Sequence, residues 1–274
     1  MRHNLDDQTK GDLIRVAHLL ADAARPVTLR HFRTSTLSAD DKSAQANHFD
    51  PVTVADRGAE EAMRAILAAE CPQDGIFGEE FGRRAGTSGL TWVLDPIDGT
   101  RAYISGAPTW GVLIAVGDEE GPLFGIVDQP HIRERFAGGF GVAEVVGPSG
   151  PAALKTRDAR PLSEATVFTT FPEVGTVEEG RAFAAVSRKA RLTRYGMDCY
   201  AYALVAAGQV DLVIEAGLNA YDIQGPQAVI EAAGGIVTGW NGEPAHNGGR
   251  VIAAANAEIH AEALSILKMS LARD

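Results

Sequence analysis

The spacing of apolar residues divides the chain into an N-terminal half rich in predicted strands and a C-terminal half in which predicted strands and helices alternate. Apolar residues recur at helical spacing over residues 12–24, and Pro26 predicts that this first helix ends near Arg25. At Thr53 a hydroxyl with an acid three residues later has the pattern of a capping box. A second helix is therefore predicted to begin there and to stop before Pro72.

A polar segment over residues 33–49 separates these two helices. It contains serines, Asp40, Asp41 and Lys42, and its apolar residues have no period. Segments of this composition are usually surface connections. We therefore expect a mobile loop here, and a candidate to close over a site.

Short runs of apolar and β-branched residues follow in the N-terminal half. The predicted strands are 75–78, 91–94, 110–116, 123–127 and 135–146. Pro96 removes a backbone donor and is expected to end the second of these strands directly after Asp95. The third and fourth are expected to form an antiparallel hairpin around the loop 117–122, and the fifth to add a third antiparallel strand.

The turn cluster Pro148-Ser149-Gly150-Pro151 marks a change in pattern. After it the predicted strands are 165–170, 191–195, 210–215 and 250–255, and the predicted helices are 177–189, 199–207, 221–233 and 257–271. Pro226 is tolerable in the third of these helices if the helix starts close to Asp222. The pattern predicts a mixed α+β or α/β fold with an antiparallel-rich lobe over residues 1–147 and a βα-alternating lobe over residues 148–274.

Composition narrows the class of protein. With 274 residues, 45% of them hydrophobic and 22% charged, the chain is typical of a globular protein with a large core. A net charge of −11 weighs against nucleic acid or an anionic membrane as a partner. The chain has no run approaching the roughly 18 apolar residues of a membrane span, and its first ten residues are polar, so a cytoplasmic location is the simplest prediction. The distant Cys71 and Cys199 have no metal-site or disulfide pattern.

Candidate chemistry is concentrated in Asp95-Pro96-Ile97-Asp98-Gly99-Thr100 and in the upstream Gly78-Glu79-Glu80. Mg²⁺ is usually held by carboxylates together with phosphate oxygens. Asp95 is the natural candidate to bridge two metal ions. Gly99 allows a tight turn into a helix that begins near Thr100, where backbone N–H groups would bind phosphate. Taken as isolated dipeptides, Asp-Pro and Asp-Gly mark surface turns, but the complete string favours phosphate chemistry assisted by metal ions.

These strings resemble the inositol monophosphatase family of Mg²⁺-dependent, Li⁺-sensitive phosphatases. The matching segments, in the family's order and spacing, are Asp50 to Asp56, Gly78-Glu79-Glu80, Asp95 to Thr100, Tyr221-Asp222 and Ala233-Gly234-Gly235. The resemblance implies a layered αβαβα sandwich, two or three Mg²⁺ ions in each site, and a homodimer.

The resemblance also implies roles for individual residues. The implied ligands of the first metal are Glu79, Asp95 and the carbonyl of Ile97, and those of the second are Asp95, Asp98 and Asp222. The implied phosphate-binding residues are Gly99 and Thr100, and Thr100 with Glu79 would position the attacking water. Asp56 either stands behind Thr100 or serves only as the acid of its capping box. Lys42 lies in the loop where the family often has a lysine, although a solvated surface residue is the simpler interpretation.

Within the family, the chain is most similar to the histidinol-phosphate phosphatase branch. The similar segments are 100–106, 128–130, 133–135 and 198–202. A cationic substrate needs anionic partners outside the metal cluster, and Asp198 and Glu215 are the candidates. The alternatives are a helix N-cap for Asp198 and a surface carboxylate at a strand end for Glu215. Arg101 is a candidate either for a substrate contact or for a structural ion pair.

The predicted function is therefore Mg²⁺-dependent hydrolysis of a phosphate monoester, with histidinol phosphate as the substrate. Inositol monophosphate, fructose bisphosphate and nucleotide 3′-phosphate are alternative substrates on the same scaffold. A protein of a different class, which uses this fold to bind RNA or a transcription complex, is a further alternative.

Overall fold

Seven α-helices and fifteen strands form the part of the chain that the computed structural model describes, residues 5–35, 37, 39–41 and 51–272. The helices are α1 (Asp7–His31), α2 (Val54–Glu70), α3 (Thr100–Ile104), α4 (Val177–Ser187), α5 (Asp198–Ala206), α6 (Ala220–Ala232) and α7 (Ala257–Leu271). A short 3₁₀ helix spans Leu162–Glu164. None of the helices in these residues has the length and apolarity that crossing a membrane requires.

Ten of the strands come from the N-terminal half of the chain. They are β1 (Ala39–Asp41), β2 (Pro51–Thr53), β3 (Gly75–Gly78), β4 (Gly82–Arg84), β5 (Thr91–Asp98), β6 (Gly111–Asp118), β7 (Gly121–Gln129), β8 (Glu134–Gly139), β9 (Val142–Gly147) and β10 (Gly150–Ala153). β1 and β2 form a separate antiparallel ribbon. The other eight form one sheet in the order β10-β9-β8-β7-β6-β5-β3-β4. Its neighbours are antiparallel except for β3 and β5, which run parallel.

The remaining five strands form a smaller sheet. They are β11 (Thr166–Thr169), β12 (Leu192–Tyr195), β13 (Leu212–Leu218), β14 (Ile236–Thr238) and β15 (Gly249–Ala254). Their order is β12-β11-β13-β15-β14. β11 runs parallel to both of its neighbours, whereas β15 is antiparallel to β13 and β14.

The two sheets and three helix pairs form five layers. Helices α1 and α2 pack on one face of the large sheet, α5 and α6 lie between the sheets, and α4 and α7 cover the far face of the small sheet. Successive strand residues point to opposite faces, so Leu113 joins the core between the sheets while Ile114 joins the core under α1 and α2. Because both faces are covered, the central strand β6 is buried and apolar from Val112 to Val116. The predicted αβαβα sandwich is confirmed.

Helix α6 lies unusually close to the large sheet. A Cβ atom at Gly225 would lie 3.1 Å from the carbonyl oxygen of Ile126, and one at Gly138 would lie 2.5 Å from Cα of Val229. Glycine at these positions lets helix backbone and strand backbone touch. In the structure this helix starts at Ala220, one residue before the predicted start at residue 221, and Pro226 lies in the helix interior. Packing against the sheet on both sides of Pro226 compensates for the missing backbone hydrogen bond.

The predicted end of α1 at Arg25 is wrong, since the helix continues through Pro26 to His31. In the turn after the proline, Thr28 is buried and is hydrogen-bonded both within α1 and to α3. The hydroxyl of Thr28 donates to the carbonyl oxygens of Ala24 and Arg25, at 3.2 and 3.0 Å. The carbonyl of Thr28 accepts a 2.6 Å hydrogen bond from Tyr103 in α3. These tertiary contacts outweigh the loss of about 3 kcal/mol that an interior proline usually causes.

The strand that carries Asp95 also continues past its proline. β5 runs to Asp98, with Asp95 opposite Leu113 and Asp98 opposite Gly111. Three steps along β5 therefore match two steps along β6, which defines a β-bulge. A bulge tolerates proline because its extra residue makes no ladder hydrogen bond. The expectation that Pro96 ends the strand is wrong. The strand continues through a bulge that lies between the two acids of the motif, Asp95 and Asp98.

Three boundaries in the N-terminal half also differ from prediction. The hairpin loop predicted at 117–122 contains only two residues, because Gly117 pairs with Pro122 and Asp118 with Gly121. The single strand predicted over 135–146 is the hairpin of β8 and β9, which turns at residues 140 and 141 where both φ angles are positive. The large sheet also continues beyond residue 147 into β10. The division into lobes at residues 147 and 148 stays a prediction.

Of the polar segment 33–49, the structure describes residues 33–35, 37 and 39–41, and the last three form β1. Lys42 lies outside the described residues. The capping box at the start of α2 is confirmed, with Thr53 and Asp56 as its partners.

The contact between α6 and the sheet yields a stability prediction. We expect Gly138→Ala to lower the free energy of unfolding by about 2 kcal/mol, because the added methyl group collides with helix backbone that cannot rotate away. Urea denaturation followed by circular dichroism measures the change. The matched control is Gly11→Ala in α1, where an added Cβ meets nothing within 4 Å and we expect a gain of about 0.5 to 1 kcal/mol. Equal stability of the two variants would contradict the close approach.

Candidate active site

A polar cavity of about 640 Å³ opens between the two sheets, where the end of β5 faces the first turns of α3, α5 and α6. Its walls come from both halves of the chain. It contains the predicted acids Glu79, Asp95, Asp98 and Asp222, and also Ile97, Gly99, Thr100, Arg101, Asp198 and Glu215. Of the predicted site residues, Asp56 alone is not part of this wall and lies behind Thr100.

Three carboxylates form the centre of the cavity. One oxygen each from Asp95, Asp98 and Asp222 lies within 4.8 Å of the other two. Backbone N–H groups hold them in place. Ile97 donates to Asp95 at 3.0 Å, and the first turn of α5 donates to Asp98 from Cys199 at 2.7 Å.

Asp222 is held in the same way, from the start of α6. Its Oδ2 accepts a 2.6 Å hydrogen bond from the backbone N–H of Asn219. All three carboxylates are thus fixed by main-chain donors, so their mutual distances are determined by the backbone.

Burial and mutual repulsion shape the charge of this cluster. Burial, followed by the charges of Glu79, Asp98 and Asp222, raises the pKa of Asp95 well above its usual range. Burial and then the charge of Asp222 raise the pKa of Asp98 in the same way. Buried like charges at this spacing are stable only when protonated or matched by cations. A set of carboxylate oxygens suits a hard divalent cation, so the residues present fit Mg²⁺.

Glu79 reaches the cluster from the end of β3. Its backbone N–H donates to the carbonyl of Leu94 at 3.1 Å, which continues the parallel pairing of β3 with β5. Its carboxyl group lies in hydrogen-bonding contact with that of Asp95. Parallel pairing therefore delivers the two acids side by side, as the spacing of the motifs predicts.

The Gly99-Thr100 turn borders the carboxylates. Gly99 is left-handed, with φ of 81°, and precedes α3. A side chain there would be strained, and its Cβ would lie 2.7 Å from the carboxyl carbon of Asp198. The hydroxyl of Thr100 donates to the carbonyl of Ile97 at 3.1 Å. The predicted turn and the start of a helix at Thr100 are confirmed.

Asp56 makes both of the contacts that sequence analysis gave as alternatives. Its Oδ2 accepts from the backbone N–H and the hydroxyl of Thr53, at 2.8 and 2.6 Å, which makes the capping box. Its Oδ1 lies 3.5 Å from the hydroxyl oxygen of Thr100. One buried carboxylate thus caps α2 and faces the turn at the start of α3.

Asp198 does not cap α5, because Met197 occupies the N-cap position. Its carboxylate instead accepts a 2.7 Å hydrogen bond from the hydroxyl of Thr109 and faces the cavity. Burial raises its pKa.

Glu215 does not lie on the surface, since only 7% of it is exposed. It accepts hydrogen bonds from the N–H and hydroxyl of Thr170 and a 3.0 Å hydrogen bond from Tyr202. Burial raises its pKa, an effect that these donors partly offset and that the nearby charge of Asp198 reinforces. Two further acids therefore line the cavity outside the central cluster, Asp198 beside Gly99 and Glu215 on β13.

Arg101 stands on the wall beside the Gly99-Thr100 turn. Its guanidinium carbon lies 5.0 Å from the ring centroid of Phe171, a contact typical of a cation–π pair. Arg101 comes from α3 and Phe171 from the loop after β11, so the pair joins the two halves of the chain at the cavity.

The segments that resemble one branch of the family serve different purposes. Asp128 is fully buried between Arg25, at 2.6 Å, and Arg135, at 2.7 Å, and so ties α1 to the large sheet. Tyr200 donates to Glu134 at 2.8 Å. Of these segments, residues 100, 101, 198, 199 and 202 line the cavity.

Sequence reasoning gave no role in the site to several residues that line it or support it. They are Glu60, Thr109, Thr170, Phe171, Tyr202 and Tyr221. Glu60 carries a detectable signal, because an acid four residues after Asp56 falls on the buried face of α2. The others are ordinary polar or aromatic residues whose contacts depend on elements distant in sequence.

Five layers of this order, with a buried carboxylate cluster beside a helix-opening glycine turn, define a metal-dependent phosphatase. The profile of the Inositol monophosphatase family matches residues 10–271. The chain is 36% identical to the histidinol-phosphatase of Streptomyces coelicolor over 93% of its own length and 97% of that protein. It is 38% identical to the bifunctional phosphatase IMPL2, chloroplastic, of Arabidopsis thaliana, with 96% and 77% covered.

The solved structure of an inositol monophosphatase from Zymomonas mobilis superposes with a TM-score of 0.82 and 40% identity, covering 94% of this chain and 98% of that one. The protein described here belongs to the inositol monophosphatase family, whose members are phosphoric monoester hydrolases.

The raised pKa of Asp95 predicts how stability depends on pH. A carboxyl group whose pKa is higher folded than unfolded stabilises the protein at low pH, and this contribution is lost as the pH rises through the folded value. In EDTA, we therefore expect wild-type protein to lose free energy of unfolding relative to Asp95→Asn as the pH rises above about 4, the usual pKa of an aspartic acid, because asparagine does not ionise. Thermal denaturation across this range measures the difference.

Added Mg²⁺ should restore the stability of wild type more than that of the variant, since a ligand stabilises the state that binds it. If the free energies of unfolding of the two proteins in EDTA changed with pH in the same way, the carboxylates of this cluster would not repel one another as described.

Proposed function

We propose that this protein is a Mg²⁺-dependent histidinol-phosphate phosphatase, which converts L-histidinol phosphate and water to L-histidinol and phosphate. The observation that carries the proposal is a single cavity with acids of two kinds. Asp95, Asp98 and Asp222 form the cluster that would bind cations, and Asp198 and Glu215 line the same cavity outside this cluster. A substrate with an anionic and a cationic end matches this division.

The ligand sets proposed for the metal ions follow the resemblance and are supported by the geometry. Glu79, Asp95 and the carbonyl of Ile97 would hold a first ion, and Asp95, Asp98 and Asp222 a second, with two or three ions in all. When bound, Mg²⁺ lowers the pKa of water and offsets the charge that develops on phosphate and leaving oxygens.

The protein's own groups would orient the attacking water. The water would donate one hydrogen bond to the hydroxyl oxygen of Thr100 and one to the carboxylate of Glu79, which leaves a lone pair directed at phosphorus. Asp56 and the carbonyl of Ile97 are acceptors for the Thr100 proton, at 3.5 and 3.1 Å, so the oxygen of that hydroxyl is available to the water. Backbone N–H groups of Gly99 and Thr100 would hold a phosphate oxygen.

The cationic end of the substrate would lie against Asp198 and Glu215. Burial raises the pKa of both carboxyl groups, and a bound cation would favour their charged forms. Most of the hydrogen-bonding capacity of Glu215 is taken by Thr170 and Tyr202. Asp198 is therefore the main proposed contact, and Arg101 would border the phosphate end.

An inositol phosphate is the second candidate substrate, because the Zymomonas mobilis structure is that of an inositol monophosphatase. The S. coelicolor histidinol-phosphatase, covered over 97% of its length, supports the first. The intact carboxylate set favours catalysis over a purely binding role on this fold. A homodimer, a cytoplasmic location and Li⁺ sensitivity stay predictions from sequence.

The metal cluster yields a prediction for activity. We expect phosphatase activity to vanish in EDTA and to return with Mg²⁺, and Asp95→Asn to lower kcat/KM by at least about 100-fold, because it removes the shared charge of the cluster. Release of inorganic phosphate measures both. The variant should unfold at a temperature no lower than wild type in EDTA, which separates lost chemistry from lost structure. Near-normal turnover of Asp95→Asn would refute the site.

The proposed contact of the substrate with Asp198 yields a second prediction. We expect kcat/KM for histidinol phosphate to exceed that for inositol 1-phosphate by at least about tenfold, the equivalent of one modest ion pair. Asp198→Asn should lower kcat/KM for histidinol phosphate by about tenfold. The internal control is glycerol 2-phosphate, whose alcohol is uncharged and for which we expect a change below about twofold. A preference for inositol 1-phosphate would overturn the proposed substrate and leave the metal chemistry in place.

A further inference from the structure

Glu60 on α2 is a fully buried acid that contacts the segment carrying Glu79. Its exposure is 0%. Its Oε2 accepts a 2.7 Å hydrogen bond from the backbone N–H of Glu80, and its Oε1 accepts a 3.2 Å hydrogen bond from that of Phe81. These donors belong to the turn between β3 and β4. A carboxylate on a distant helix thus satisfies the backbone of the turn that follows Glu79.

Arg64 joins the same arrangement one helical turn later. Its Nε donates to Glu60 at 2.7 Å, and its Nη2 donates to the carbonyl of Gly82 at 2.5 Å. The buried charge of Glu60 is therefore paired, as burial requires. Glu60 thus binds the turn between β3 and β4 at Glu80, and Arg64 binds it at Gly82.

Glycine at position 78 follows from the same contact. A Cβ atom there would overlap the carboxylate of Glu60. The glycine of the Gly78-Glu79-Glu80 motif therefore leaves room for an acid from α2. The motif therefore accommodates Glu60 on one side and places Glu79 in the cavity on the other.

The two peptide units that flank Glu79 are both fixed. The N–H on its amino side donates to Leu94 in β5, and the N–H on its carboxyl side donates to Glu60. With both peptides held, the direction of the Glu79 side chain toward Asp95 is determined. Glu60 itself is absent from the described residues that line the cavity.

We infer that Glu60 is a positioning residue, which sets the orientation of Glu79 and through it the affinity of the site for divalent cations. It touches neither substrate nor metal. The inference rests on the proposed function, in which Glu79 is a metal ligand.

The test is Glu60→Gln, which keeps the size of the side chain but replaces one acceptor oxygen by a donor that faces N–H groups. We expect binding of Mn²⁺ to the substrate-free protein, measured by calorimetry, to weaken by about 10- to 100-fold, the usual effect of a group that orients a metal ligand. The Mg²⁺ concentration for half-maximal activity should rise in parallel. KM for the phosphate ester at saturating Mg²⁺ should change less than about twofold, because Glu60 does not reach the cavity.

The matched control is Asp74→Asn. Asp74 is also buried, at 7% exposure, and accepts a 2.9 Å hydrogen bond from Trp92, but it lies before the opposite end of β3. We expect this variant to lose stability without losing Mn²⁺ affinity, so a shift confined to Glu60→Gln separates positioning from general destabilisation.

Wild-type affinity for Mn²⁺ in a folded Glu60→Gln variant would overturn the inference. If Glu60→Gln fails to fold, Arg64→Gln decides, because it removes the donor that holds Glu60. We expect about threefold weaker Mn²⁺ binding for that variant, and unchanged binding would refute the inference. Wild-type protein that binds no Mn²⁺ and hydrolyses no phosphate ester would refute the proposed function itself.

Discussion

The backbone contact between α6 and the large sheet is the constraint on which the rest of the molecule depends. Glycine at positions 138 and 225 lets the helix approach until main chain meets main chain. That distance carries Asp222, in the first turn of α6, to the carboxylates at the end of β5. If α6 lay farther from the large sheet, Asp222 would be too distant from Asp95 and Asp98 to share a cluster with them. The close approach thus makes one site from segments far apart in sequence.

The same packing brings several carboxylates together in a buried place, and their repulsion is not compensated when no cation is bound. Burial and neighbouring acids raise the pKa of Asp95 and Asp98, so the metal-free cluster opposes folding at neutral pH. Main-chain donors hold the carboxylates in place despite their repulsion. The cluster therefore lowers stability in the absence of cations, as is common where activity requires an arrangement that is unfavourable for folding.

Prediction from sequence succeeded where local patterns decide structure and failed where long-range packing does. The capping box of α2, the run of β3 and the full extent of α7 follow from local spacing. Pro26 and Pro96 were each expected to end an element, and each lies inside one. Buried contacts outweigh the missing donor after Pro26, whereas Pro96 lies in a β-bulge where no ladder hydrogen bond is needed. Glu60 escaped notice for the same reason, since its partners lie twenty residues away.

In the proposed site, metal binding and substrate recognition would not be independent, because α5 contributes to both. The backbone N–H of Cys199 in this helix holds Asp98, while the carboxyl group of the adjacent Asp198 packs against Gly99 and lines the cavity. Glycine is needed at position 99 both for its left-handed backbone and to admit that carboxyl group. A change of substrate that requires a side chain of different size at position 198 would therefore alter the packing of the Gly99-Thr100 turn. Evolution of specificity on this scaffold is thereby coupled to the geometry of the cation cluster.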